Sequence, residues 1–170
     1  YSNTKGSRRR RSNRLQVRFR TTSSSGLLFW TNEGSDLQND YLAAAIVDGF
    51  PELNFKLGKQ KHPLSVRVDQ RVDDGLWHSV SFHRRKRLGE IRVDRNYFAS
   101  NVSESGSIDL HTDGVLWIGG APKLPLGLPS DYYSGFSGCI DSIIIDKSPA
   151  HQLLIEKGST QRCESSKVMN

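Results

Sequence analysis

Short apolar segments recur along most of this chain, and several of them alternate apolar with polar residues. In the first segment Leu15, Val17 and Phe19 take every second position, which is the period of a half-buried β-strand. Alternation or a short apolar run also marks the segments 26–30, 41–47, 53–57, 64–68, 78–82, 91–93, 115–118 and 140–145. The pattern predicts a strand in each segment.

These strands predict an all-β fold. No window of twelve residues carries a helical stripe, and the best helical candidate, 153–157, is barely one turn. Short strands at intervals of roughly 8–12 residues, separated by Gly, Asp and Ser, are typical of an antiparallel β-sandwich. A βαβ arrangement is disfavoured because the crossover helices that it needs are missing from the pattern.

The length fits one domain with a basic arm. A chain of 170 residues suffices for one well-buried domain and is short for two. Residues 1–13 have almost no apolar side chains and are predicted to form a disordered basic arm or linker. The predicted domain spans 14–165, and 166–170 form a tail. With no secretory signal and no apolar stretch for membrane insertion, a secreted form is expected to be a piece of a longer chain.

The net charge of +6 comes from one end of the chain. Residues 1–20 hold eight basic side chains and no acidic one, whereas the other 150 residues hold sixteen basic and eighteen acidic ones. The run Arg8–Arg11 has three interpretations: a heparin-binding arm, a protease site cut after Arg11, or a charged linker. Nucleic-acid binding is disfavoured because no aromatic stacking platform accompanies the run.

Two cysteines and one sequon indicate an oxidising, extracellular compartment. Cys139 and Cys163 are compatible with a disulfide that closes a loop of about 25 residues and contributes roughly 3 kcal/mol in the chain-entropy model. Two free thiols in a cytosolic protein are the alternative. Asn101 begins the N-glycosylation sequon Asn-Val-Ser and is the candidate glycosylation site.

Three motifs follow one another in a fixed order. The first is Gly-Leu-Leu-Phe-Trp at 26–30, followed by Asp-Tyr-Leu at 40–42 and Val-Asp-Gly at 47–49. The second is Asp-Gly-Leu-Trp-His-Ser-Val at 74–80. The third is Leu-Trp-Ile-Gly-Gly at 116–120, then Phe-Ser-Gly-Cys-Ile at 136–140 and the distant Cys163. In this order and spacing, the motifs resemble the laminin G-like domain of the laminin, agrin, perlecan and neurexin type.

The resemblance implies a jelly-roll-like laminin G sandwich, and the residues of the second motif have structural interpretations. Gly75 permits a tight turn before a strand. Trp77 is large enough to anchor the core of a sandwich. His78 shares the face of Val80 and Phe82, and we interpret it as a hydrogen-bonded core histidine without a catalytic role.

The resemblance also implies one Ca²⁺ at a rim of the domain. Laminin G domains commonly hold this ion with two acidic or amide side chains and with backbone carbonyls. By position, Asp40 matches the first side chain and the carbonyl of Leu57 matches a backbone ligand. The second side chain falls on His111, a poor calcium ligand, so Asp113 is the preferred substitute. The alternative makes Asp40 an ordinary turn residue.

A cluster of cations predicts a binding site for glycosaminoglycan. Arg84, Arg85, Lys86 and Arg87 stand between two predicted strands that form a hairpin. Together they suit sulfate and carboxylate groups such as those of heparan sulfate. The alternative is a solvated hairpin tip without a partner.

The predicted function is an extracellular binding or adhesion module of a larger protein, not an enzyme. No nucleophile elbow, zinc-binding helix or phosphate loop is present, and the histidines are scattered. Its ligand is expected to be a glycosaminoglycan or an extracellular or cell-surface protein. Two alternatives remain: a Ca²⁺-dependent lectin for a neutral sugar, and an interaction or spacer module that uses the apolar residues of the loop 122–133.

Overall fold

A computed structural model of the chain describes residues 8–150 and 161–163. It contains a five-stranded sheet of order β11-β3-β4-β5-β6, a six-stranded sheet of order β13-β12-β2-β7-β8-β9, and the pair β1-β10. Every strand pairing is antiparallel, which confirms the predicted all-β antiparallel sandwich. The strands are β1 (Arg8–Arg10), β2 (Ser12–Arg20), β3 (Gly26–Asn32), β4 (Tyr41–Val47), β5 (Phe50–Lys56), β6 (Leu64–Arg67), β7 (His78–Arg85), β8 (Leu88–Val93), β9 (Tyr97–Val102), β10 (Leu110–Thr112), β11 (Trp117–Ile118), β12 (Cys139–Ile145) and β13 (Ser148–Pro149).

The main core lies between the two large sheets. The alternating residues Leu15, Val17 and Phe19 of β2 are all buried in it. Phe29 of the five-stranded sheet meets Phe82 of the six-stranded sheet edge-to-face, with ring centroids 6.2 Å apart. Burial of such apolar area is the main source of stability of a sandwich, so the alternation that predicted the strands also determines which face of each sheet points inward.

A second apolar layer covers the outer face of the five-stranded sheet. Trp30 and Tyr41 stack there with centroids 5.4 Å apart, and Leu128 and Tyr132 pack on the same layer. A short 3₁₀ helix, Ser130–Tyr133, brings in Tyr132, whose hydroxyl donates to Glu52 Oε1 at 2.7 Å. Because both faces of β4 are covered, all seven of its residues are buried.

The predicted disordered arm is wrong for residues 8–13. Arg8–Arg10 form β1 and pair with Leu110–Thr112, and β2 already begins at Ser12. The low apolar content predicted disorder, but ladder hydrogen bonds and ion pairs to carboxylates hold this basic segment instead. Residues 1–7 and the predicted tail 166–170 lie outside the described residues.

The motif at 74–80 has one predicted role that the structure overturns. Gly75 adopts a positive φ of 79° in the expected turn. His78 is buried and hydrogen-bonded on both ring nitrogens, to Asp94 at 2.6 Å and to Asp74 at 2.9 Å, which confirms its interpretation. Trp77 is not a core anchor: it is 37% exposed, because its position alternates with the inward-facing His78.

Candidate functional site

The hairpin between β7 and β8 carries the predicted glycan-binding residues, whose side chains point to opposite faces of the sheet. Successive residues of a strand alternate between faces. Arg84 therefore shares the inward direction of Phe82, while Arg85 is exposed. The run of four cations is split, and only part of it faces solvent.

Arg84 is a buried structural residue, so the prediction that it binds glycan is wrong. Only 1% of the residue is exposed. Its guanidinium donates hydrogen bonds of 2.7–3.4 Å to Asn13 Oδ1 and to the carbonyl oxygens of Arg10, Lys86 and Ile108. Burial lowers the pKa of Arg84 to about 10, against the opposing charges of Asp109 and Asp40. The side chain joins the start of β2 to the hairpin and is shielded from any ligand.

The other three cations of the hairpin remain at the surface. Arg85 and Lys86 are exposed, and the half-buried Arg87 donates to the carbonyl of Ser103 at 3.1 Å. Lys86 lies in the turn with a φ of 55°, and its backbone N–H donates to the carbonyl of Arg11 at 2.7 Å. That bond brings the N-terminal run of arginines to the hairpin.

Two of those N-terminal arginines share one carboxylate beside the hairpin. Arg9 and Arg11 lie 2.5 and 3.2 Å from the Asp109 carboxylate. The hydrogen bonds from Arg9 and Arg11 lower the pKa of Asp109, against an opposing effect of burial. We call Arg9, Arg11, Arg85, Lys86 and Arg87 the basic end of the domain. It joins two basic clusters that are more than seventy residues apart in the sequence.

Asp40, the predicted first calcium ligand, is a buried acceptor of N–H groups. Only 3% of it is exposed. Its Oδ1 accepts the backbone N–H of Gly58 at 2.5 Å, and its Oδ2 accepts the backbone N–H of His111 at 2.8 Å. Nδ1 of His111 lies 3.3 Å from the same Oδ2. Both carboxylate oxygens are therefore directed at nitrogen atoms of the protein.

The other predicted calcium ligands also accept hydrogen bonds from the protein backbone. The carbonyl of Leu57 accepts the N–H of Gln60 at 3.2 Å, and Asp113 Oδ2 accepts the N–H of Gly34 at 2.9 Å. Next to Leu57, the buried Lys56 ammonium donates to the carbonyls of Gln38 and Gly58 at 2.5 and 3.0 Å.

This arrangement does not fit a calcium site. Ca²⁺ takes six to eight oxygen ligands, and a nearby ammonium repels it. The Lys56 ammonium binds the carbonyl of Gly58, whose N–H donates to Asp40, and Arg84 interacts electrostatically with Asp40. No role is therefore derived for a bound ion.

Of the remaining predicted site residues, Cys139 and Asn101 lie on the six-stranded sheet. Cys139 and Cys163 form a disulfide with Cα atoms 5.8 Å apart, which ties the C-terminal residues to β12. Asn101 is exposed on the edge strand β9, and its Oδ1 accepts the backbone N–H of Val102 at 2.8 Å.

The sequence prediction overlooked the arginines on the outer face of β2. Arg14, Arg18 and Arg20 alternate with the apolar residues of that strand and are not buried. The guanidinium carbons of Arg18 and Arg20 lie 5.1 and 5.3 Å from the ring centroid of Trp77. The alternation with Leu15, Val17 and Phe19 was the signal that would have placed these cations on one face.

The fold and its surface define a β-sandwich module whose distinctive chemistry is cationic. The laminin G domain family model matches residues 19–151. The chain therefore belongs to the laminin G domain family. Laminin G domains are non-catalytic binding modules, and the chain is accordingly not an enzyme.

Relatives with similar sequences are extracellular matrix or cell-surface proteins. The chain is 32% identical over 133 residues to the basement membrane proteoglycan of Caenorhabditis elegans, covering 76% of this chain and 4% of that protein. It is 30% identical over 142 residues to human pikachurin, covering 82% and 14%. It is 32% identical over 145 residues to neurexin 1 of Drosophila melanogaster, covering 80% and 7%. The chain thus spans a small part of each relative.

Solved structures agree with the fold. Domains LG4-5 of the mouse laminin α1 chain match with a TM-score of 0.68 at 24% identity, covering 82% of this chain and 36% of that one. The LG1-3 region of the laminin α2 chain matches with a TM-score of 0.69 at 23% identity, covering 82% and 28%. No helix in the described part of the chain is long and apolar enough to cross a membrane.

Proposed function

We propose that this domain is an extracellular binding module that holds a sulfated or carboxylated glycosaminoglycan at its basic end. The observation that carries the proposal is the junction of the two basic clusters through the hydrogen bond from Lys86 N–H to the Arg11 carbonyl. Of the five cations of the basic end, Arg9 and Arg11 are paired with the carboxylate of Asp109. Guanidinium groups suit sulfate and carboxylate because they present paired donors in a plane.

Retention on immobilised heparin tests the proposal. The variant Arg85→Gln/Lys86→Gln removes two exposed charges, and we expect it to elute at a clearly lower salt concentration than the wild type. The control Lys59→Gln/Lys123→Gln removes two exposed charges elsewhere and is expected to elute near the wild type. Equal elution of the two variants would remove the basic end as the binding site. Matching thermal unfolding curves verify that both variants are folded.

The rival spacer function rests on the loop 122–133. Leu128 and Tyr132 of this loop are buried on the five-stranded sheet, and Leu124 packs beside them. Leu126 is 90% exposed, and Tyr133 is also exposed. Most of the apolar side chains of the loop are thus used for packing, which favours the basic end over the loop as the binding surface. Unchanged binding by Leu126→Ser is the expected result.

The rival lectin function depends on calcium. Since the residues around Asp40 do not fit the ion, glycan binding is proposed to be sensitive to salt and insensitive to chelator. Glycan binding that is lost with chelator and persists at high salt would favour the lectin function.

An extracellular location also makes Asn101 a proposed glycosylation site. Its side chain is exposed on an edge strand, where an attached glycan would shield unpaired backbone groups. Secretion from a eukaryotic host, with mass measurement of the wild type and of Asn101→Gln, tests this. If the two masses differ only by the mass of the Asn-to-Gln substitution, Asn101 carries no glycan and the proposed site is wrong.

A further inference from the structure

The outer face of the six-stranded sheet carries a row of arginines that leads away from the basic end. Because Leu15, Val17 and Phe19 point into the core, the intervening residues of β2 point outward. The same alternation applies to β7 and β8, whose inward residues are buried. The arginines of this outer face are Arg14, Arg18, Arg20, Arg85 and Arg92.

Strand register places these residues on one continuous surface. Gln16 lies opposite Ser81, and Ser81 lies opposite Arg92. Ser12 lies opposite Arg85, so the row ends at the hairpin of the basic end. The outward positions between the arginines of β2 and β7 are polar: Gln16, Ser79, Ser81 and His83.

Trp77 fixes two of these arginines at the far end of the row. The guanidinium carbons of Arg18 and Arg20 lie 5.1 and 5.3 Å from the centroid of its ring. Arg18 also donates to Asp141 Oδ2 at 2.9 Å. Holding long side chains in place before binding reduces the entropy that a ligand must overcome. The exposed Trp77 therefore organises a pair of cations on the outer face.

The shape and charge of this surface select the class of ligand. Four carboxylates border the five arginines: Asp141 beside Arg18, Glu90 beside His83, Asp146 at the backbone of Arg14 and Asp94 at the backbone of Ser79. The arginines therefore exceed these carboxylates by one charge. The seven steps of β7 make it roughly 24 Å long, and successive outward residues are about 7 Å apart. A linear chain with regularly spaced anionic groups matches this spacing.

The exposed aromatic rings favour a polysaccharide over a single-stranded nucleic acid. Trp77 lies under two guanidinium groups, and Phe98 lies under that of Arg92, at 5.2 Å from the ring centroid. Single-strand binding requires open rings on which bases stack. On this face the rings already have cationic partners.

We propose that this face, the arginine track of Arg14, Arg18, Arg20, Arg85 and Arg92 with Trp77, binds a sulfated or carboxylated polysaccharide that runs along β2 and β7. The inference rests on the proposed function, because the track and the basic end meet at Arg85. It adds a second, distant group of contacts to the same polyanion.

Binding of size-fractionated heparin chains long enough to span the track is the test, measured as an equilibrium dissociation constant at fixed salt. The track variant Arg18→Gln/Arg20→Gln is expected to bind roughly tenfold more weakly, since charge-assisted contacts are lost. The control Lys59→Gln/Lys123→Gln, with the same charge change, is expected to bind as the wild type does. Trp77→Leu keeps every charge and is expected to weaken binding to a smaller extent.

The outcomes separate the track from the proposed function. Wild-type affinity in the track variant, with weaker binding in Arg85→Gln/Lys86→Gln, overturns the track and leaves the basic end as the site. Wild-type affinity in both variants, or no binding of heparin to the wild type, overturns the arginine track and the basic end together. A tighter complex with single-stranded DNA of equal length than with heparin also overturns the track. Unfolding curves verify the fold, and the exposed Arg18–Asp141 pair contributes little to stability.

Discussion

The amide oxygen of Asn13 accepts two hydrogen bonds from the guanidinium of Arg84, 3.0 Å from Nε and 2.7 Å from Nη2. This pair joins the first residues of β2 to the last residues of β7 inside the protein. The neighbouring Arg85 extends from the other face of the same strand. Two adjacent arginines therefore differ in their surroundings: Arg84 stabilises the hairpin from inside, whereas Arg85 is exposed and belongs to the proposed binding surface.

Arg84→Met is predicted to destabilise the domain by about 3 kcal/mol or more, because it leaves several buried acceptors without a donor. Arg85→Met is the matched control and is expected to change the free energy of unfolding by no more than about 0.5 kcal/mol. Urea unfolding of both variants measures the difference. Similar stabilities for the two variants would contradict the buried role of Arg84.

The sequence predicted the strands better than the direction of particular side chains. Alternation in β2 and β7 identified both strands, and the same alternation, continued from Val80 and Phe82, points Arg84 inward. The prediction placed all four cations in a loop because it considered their charge and did not continue the alternation of β7 through Arg84 and Arg85. Trp77 was misplaced by size alone, since its exposure follows from the inward position of His78.

Other features were beyond a single-sequence pattern. β1 depends on pairing with Leu110–Thr112, and the partners of Arg9 and Arg10 are about 100 and 136 residues away. β9 is exposed along most of its length, so Tyr97–Val102 carries no burial alternation. The partners of Asp40 depend on how the loops at 58 and 111 approach it. Motif position alone does not specify them.

His78 is predicted to make the stability of the domain depend on pH. Burial lowers its pKa, but the hydrogen bonds to Asp94 and Asp74 outweigh burial and raise the pKa above its ordinary value of 6.5. A raised pKa in the folded state means that protonation stabilises the fold. That contribution is fully present below pH 6.5 and is lost as the pH rises through the folded-state pKa.

The pH dependence is measurable by comparing the wild type with His78→Gln. The stability advantage of the wild type is expected to shrink as the pH rises through the neutral range, and titration by NMR is expected to give a pKa for His78 above 6.5.

Asp74 contributes to the stability of the domain in the acidic range. Its backbone hydrogen bond from Leu76 and its bond to His78 lower its pKa, so its contribution is lost as the pH falls below 3.8. A His78 pKa at or below 6.5 would contradict this account.

Calcium is predicted to leave the melting temperature of the domain unchanged. A ligand that binds the folded state must raise the melting temperature, and no rise is expected because Asp40 already accepts N–H groups and Lys56 supplies a cation nearby. The measurement is thermal unfolding with millimolar calcium and with chelator. Asp40→Asn is expected to be less stable than the wild type by about 1–3 kcal/mol in both conditions, because its charge-assisted bonds are lost. A saturable rise with calcium that disappears in Asp40→Asn would restore the metal site.

The disulfide between Cys139 and Cys163 is predicted to stabilise the domain by about 3 kcal/mol, since it closes a loop of moderate length in the unfolded chain. The two residues are separated by 24 positions. Cys139 pairs with Arg20 at the end of β2, so the cross-link acts beside the arginine track. Urea unfolding of Cys139→Ala/Cys163→Ala, with the oxidised and the reduced wild type, measures the contribution. The reduced wild type and the double variant are expected to have the same free energy of unfolding, and it is expected to be lower than that of the oxidised protein. If the oxidised protein and the double variant unfold at the same urea concentration, the cross-link does not stabilise the fold. The double variant is further expected to bind heparin as the wild type does, because neither sulfur contributes charge to the proposed surface.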